Sequence, residues 1–147
     1  MTRPRLADVT DAPSENVSVP RTLRSTTGGI VTAAVIDVVL VLAFVLIGRG
    51  SHGENIVGGA FTTFWPFAAG LVVGWIVCLA WRRPFALWPT GVVAWAATLV
   101  IGMLLRVVSG QGVAVSFVIV AAIVLAVFLI GWRAVALPIR TRARRRG

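Results

Sequence analysis

The chain has 147 residues, 58% of them hydrophobic and 13% charged, about half the charged share of a soluble domain at roughly 25%. That balance excludes an ordinary soluble enzyme and describes one domain made for lipid. The formal net charge is +9, all 14 basic residues are arginine, and the single cysteine rules out an intrachain disulfide.

Residues 1–28 are polar, interrupted by Pro4, Pro13 and Pro20, and have no helical or strand period. They read as a disordered tail. Four apolar runs follow, at Ile30–Ile47, Phe61–Trp81, Trp88–Leu105 and Val113–Trp132. Each approaches the roughly 20 residues that a helix needs to cross a ~30 Å hydrocarbon core. Continuous apolar runs of this length span as helices, because lipid offers the backbone no hydrogen-bond partners. The first run is too long for a signal-peptide core and lacks a small-x-small cleavage site, so it reads as a retained span. Short connections make neighbouring helices antiparallel. The expected fold is therefore all-α: an integral-membrane antiparallel four-helix bundle over residues 29–133, with disordered termini and a basic tail at 134–147. Pro66 predicts a kink or a late start in the second span, and Pro89 suits the first turn of the third. Gly70-x-x-x-Gly74 predicts a close helix crossing.

Twelve arginines (3, 5, 21, 24, 82, 83, 133, 140, 142, 144, 145 and 146) lie on one side of these spans; Arg49 and Arg106 lie on the other. The positive-inside rule then puts both termini in the cytoplasm of a multi-pass cell-membrane protein. Arginines that flank apolar runs point to anionic lipid headgroups rather than nucleic acid. Arg82, Arg83 and Arg133 are the expected headgroup contacts. Trp65, Trp81, Trp88 and Trp132 fall near span ends, as an interfacial aromatic belt does.

Asp37 is the one acid well inside a span. It sits about seven residues along the first run, hence about 10 Å deep at 1.5 Å per residue. A carboxylate there is costly and should face protein or trapped water. Trp75 and Trp95 lie at matching depth, and either indole N–H is able to donate to it. Two readings stand: a proton, cation or substrate site formed by Asp37, Trp75 and Trp95, or a structural hydrogen bond between helices.

The outer connection gathers Arg49, His52 and Glu54, and Arg106 closes the third span on the same side. This polar group reads either as an anion-gripping or proton-relaying loop or as a solvated loop with snorkelling arginines. His-x-Glu alone falls short of the three or four ligands of a transition-metal site. Cys78 is a small packing residue. There is no phosphate loop, nucleophile elbow, HExxH or CxxC, so no metal, cofactor or enzymatic activity is expected.

Ile36-Asp37-Val-Val-Leu, Ile47-Gly-Arg-Gly-Ser-His52, Thr63-Phe-Trp-Pro-Phe67, Trp81-Arg-Arg-Pro84, Leu87-Trp-Pro-Thr-Gly91 and Gly102-Met-Leu-Leu-Arg106 together resemble the domain-of-unknown-function family 3054. The resemblance covers about Ile30 to Trp132 and implies a small four-span membrane protein; it supplies no activity, cofactor or site. Two function classes remain: a proton- or cation-coupled transporter or permease-like subunit using Asp37, and a structural or accessory protein that binds lipid, a second copy or a larger membrane complex.

Overall fold

A computed structural model describes residues 27–50 and 56–145. The tail before Thr27, with His52 and Glu54 of the outer connection, lies outside them. The described chain forms α1 (Thr27–Gly50), α2 (Ile56–Val77), α3 (Val92–Val108), α4 (Val115–Leu129) and α5 (Gly131–Arg145). The amide of Ile130 donates to Ala126 and that of Ala134 to Ile130, so α5 carries the α4 helix onward. Among the described residues, four segments are long and apolar enough to cross a membrane: Thr27–Arg49, Gly59–Val77, Leu87–Val108 and Val115–Ile139. The molecule is a multi-pass membrane bundle.

Span boundaries moved for local reasons. Leu79 adopts the left-handed conformation (φ 49), which ends α2 before Trp81 and turns the chain into a short 3-10 segment, Ala80–Arg82. Pro66 lies inside α2, so the helix neither starts late nor stops there. The residue before a proline is driven out of the helical region, and Trp88 is extended (φ −118, ψ 131). Pro89 accordingly sits in a wide turn, Leu87–Gly91, just ahead of α3. The last span runs past Trp132 because Ala134, Ala136, Leu137 and the arginines beyond favour helix, and the segment read as a basic tail is helical to Arg145.

At its far end α3 stops in a Schellman-type turn. Gly110 (φ 72) takes the left-handed position, while Gln111 N donates to Arg106 O and Gly110 N to Val107 O, at 2.9 and 3.1 Å.

Packing closes a ring in which α1 touches α2 and α4, and α3 touches α2 and α4. Thus α1 and α3 stand diagonally opposite. The tightest seam joins α2 and α3, where a Cβ on Gly70 would lie 2.8 Å from Ala97 O and 2.9 Å from Thr98 Cα. A Cβ on Gly74 would meet Ala94 Cα at 3.0 Å. The small-x-x-x-small pattern therefore works within the chain, as expected where helices associate by contact rather than by escape from water. Thr98 hides its hydroxyl in this seam by donating to Ala94 O at 2.6 Å, and the Cys78 thiol donates to Gly74 O. Val41, Phe44, Val45, Phe67, Leu71, Ala121, Leu125 and Leu129 fill the centre. Large apolar side chains also point outward along every span, Val39, Val72, Val100 and Val127 among them, as a lipid-facing surface requires.

Candidate functional site

Asp37 is fully buried, and its carboxylate is met by three residues from two helices. Trp75 Nε1, from the last turn of α2, donates to Oδ2 at 2.9 Å. Trp132 Nε1, from the start of α5, donates to Oδ1 at 2.9 Å. Arg133 completes the set with a two-pronged ion pair, Nη1 to Oδ1 at 2.9 Å and Nη2 to Oδ2 at 2.6 Å. Each carboxylate oxygen thus accepts two hydrogen bonds, which fills the roughly four acceptor positions a carboxylate has. A bidentate Arg–carboxylate pair is both strong and geometrically specific.

The guanidinium is equally well provided for. Arg133 is fully buried; its Nε donates to Pro84 O at 3.1 Å and Nη1 also donates to Leu129 O at 2.7 Å. Its Cζ lies 4.7 Å from the Trp132 ring centroid, and Trp132 meets Phe85 edge-on at 5.7 Å. The connection from α2 to α3 is shaped for this arrangement. Thr90 Oγ1 donates to Arg83 O at 2.9 Å and Gly91 N to Ala86 O at 3.1 Å, folding the turn back on itself. A side chain at Gly91 would press on Arg133, since its Cβ would stand 3.1 Å from Arg133 Cδ. Four segments of the chain therefore meet at one buried ion pair.

Two expectations need correction here. Arg133, read as a headgroup contact, is inside the bundle, because the helix continues past Trp132 and carries residue 133 inward to the level of Asp37. Trp95, paired with Asp37 by depth alone, instead donates to Ala122 O at 2.9 Å and ties α3 to α4. Its helix is diagonal to α1, so depth did not make it a neighbour. Trp75 does reach Asp37. Sequence reasoning missed Trp132 and Arg133; the available signal was that a buried acid demands a cation, and Arg133 follows directly on an apolar run. Arg82 and Arg83 are exposed beside exposed Trp81 and Trp88.

The opposite end of the bundle is different. Phe44, Val45, Gly48, Arg49, Thr63, Arg106 and Phe117 line a half-open cavity of about 150 Å³. Arg49 Nη1 donates to Thr63 Oγ1 at 3.2 Å. Arg106 Nη1 donates to Gln111 Oε1 at 3.0 Å, and its Cζ lies 4.9 Å from the Phe117 ring centroid. The structure thus brings Arg49 and Arg106 to one cavity and keeps both away from Asp37.

A family model described as "Protein of unknown function (DUF3054)" matches residues 34–136. That stretch is well over half the chain and contains Asp37, Trp75, Pro84, Trp132 and Arg133; the chain belongs to this family. No curated protein and no solved structure matches it.

Proposed function

We propose that this member of the DUF3054 family is a structural or accessory membrane protein, without enzymatic activity, whose helices are locked by the Asp37–Arg133 pair. The observation that carries this reading is the completeness of the clasp: Asp37 is 0% exposed and accepts four hydrogen bonds from Trp75, Trp132 and Arg133. A proton or cation site must exchange its occupant with water, and a carboxylate with every acceptor position taken and no access has nothing to exchange.

The lipid-facing chemistry supports an accessory role. Exposed Arg82 and Arg83 sit in one turn with exposed Trp81 and Trp88. Basic side chains beside amphipathic aromatics suit an anionic leaflet, where each Lys or Arg contributes about 1 kcal/mol near the surface. The arginine bias of the sequence orients that end, with both termini, toward the cytoplasm. Labelling from outside at a cysteine introduced at Arg82 in a Cys78→Ser background should fail in intact cells; efficient labelling would reverse the orientation.

The transport reading is tested in reconstituted vesicles by following proton- and cation-linked flux in wild type and Asp37→Asn. The clasp reading expects no Asp37-dependent flux and a less stable variant. A wild-type flux abolished by Asp37→Asn, in a bundle that stays equally stable, overturns it.

A further inference from the structure

We propose that the turn between α2 and α3 is the docking site of an anionic phospholipid, whose headgroup on Arg82 and Arg83 steadies the Asp37–Arg133 clasp. The inference rests on the reading of that pair as structural and adds a partner to it.

Charge singles out this turn. Asp37 is the one acid within residues 27–50 and 56–145, and its carboxylate is filled by hydrogen bonds inside the bundle. Arg82 and Arg83 are exposed. Among the described residues neither guanidinium has a hydrogen-bond or ion-pair partner. Two adjacent cations with no acid beside them call for an anion from elsewhere.

The residues around them favour a lipid over a soluble anion. Leu79 and Trp81 are exposed just before the arginines, and Leu87 and Trp88 just after them. A soluble phosphate would use the cations alone. A phospholipid uses both: its acyl chains lie along the apolar flanks, and its phosphate meets the planar guanidinium forks. Tryptophan at headgroup level has the same double character.

The backbone of this turn also serves the clasp. Pro84 O, one residue past Arg83, accepts from Arg133 Nε at 3.1 Å, and Phe85 meets Trp132 edge-on. Arg83 O accepts from Thr90 Oγ1 at 2.9 Å and from the Ala86 amide at 3.0 Å. A ligand that binds only the folded turn stabilises the contacts that the fold of the turn provides. Those contacts include the seat of Arg133.

The test uses the full chain in phosphatidylcholine nanodiscs with and without phosphatidylglycerol, read by thermal unfolding. Both leaflets have one composition there, so the result does not depend on which way the protein faces. Wild type should melt at a higher temperature with phosphatidylglycerol. Arg82→Gln/Arg83→Gln should lose most of that gain; each variant is compared with itself in the two lipids, so a change in basal stability cancels. Arg142→Gln/Arg144→Gln removes the same charge from the far end of α5 and should keep most of the gain. In mixed micelles, native mass spectrometry should show the preference for phosphatidylglycerol falling about fivefold for each turn arginine removed, as about 1 kcal/mol per basic residue implies. Coupling is reciprocal, so Asp37→Asn should weaken that preference too, and an undiminished preference overturns the link to the clasp. Wild type with no preference overturns the site, and is the result expected if a protein covers the turn instead. If Asp37→Asn still destabilises the chain in pure phosphatidylcholine, the structural reading of the clasp survives that failure. An unchanged gain in Arg82→Gln/Arg83→Gln also overturns the site. So does an equal loss in Arg142→Gln/Arg144→Gln, which would show diffuse attraction to the whole basic end.

Discussion

The two ends of the bundle both carry arginine into the ring of helices, and they do so in opposite ways. Arg133 sits at 0% exposure against a carboxylate, two backbone carbonyls and an indole face. Arg49 and Arg106 border open volume. Charge inside an apolar bundle hardens into structure when acceptors and donors are matched and no space is left. The ends also differ in what shapes them. At the clasp a folded-back connection brings Pro84 O to Arg133; at the cavity Gly59 leaves room for the Arg49 guanidinium.

Breaking the clasp should have the largest effect. Asp37→Asn removes the counter-charge and leaves Arg133 buried beside an amide, which costs about 3–5 kcal/mol for a buried pair with one partner lost. Equilibrium unfolding in detergent should report that loss, and Arg49→Gln under the same conditions should fall well short of it. The tryptophans sharpen the contrast further. Trp75→Phe and Trp132→Phe each delete a hydrogen bond to a charged group, worth about 1.5–3 kcal/mol. A next step concerns the seam that holds α2 on α3: Gly70→Ala forces a methyl group against Ala97 O and the Thr98 backbone, and overpacking of that kind costs about 1–3 kcal/mol. Trp95→Phe should matter least, at about 0.6 kcal/mol, the average for a neutral interhelical bond in a membrane. If Trp95→Phe proves as damaging as Trp75→Phe in the same unfolding assay, depth rather than the carboxylate sets the importance of these indoles.

Much of the architecture could be read before any coordinates, because lipid imposes length and helicity on apolar runs. The four spans, the weight placed on Asp37 and the close crossing at Gly70 and Gly74 follow from such constraints, with Trp75 as one of two equal candidates for the donor to Asp37. Arg133 did not, since an arginine one residue past an apolar run looks interfacial until the helix is known to continue beyond it. Trp95 and Trp132 illustrate a second limit. Depth along a span can be counted in residues, but which helices are neighbours depends on ring order, and α3 lies diagonal to α1. The Arg49 and Arg106 group was visible as residues of one side, while the recess between them depends on how Phe44 and Phe117 pack.

The central claim is that Asp37 and Arg133 act as one structural unit. A double-mutant cycle tests it most directly: unfolding free energies of wild type, Asp37→Ala, Arg133→Ala and the double variant, in one detergent. The account predicts a coupling of about 2–3 kcal/mol, with the double variant more stable than at least one of the singles because no unpaired charge is left inside. Additive losses, with a coupling near zero, would contradict it.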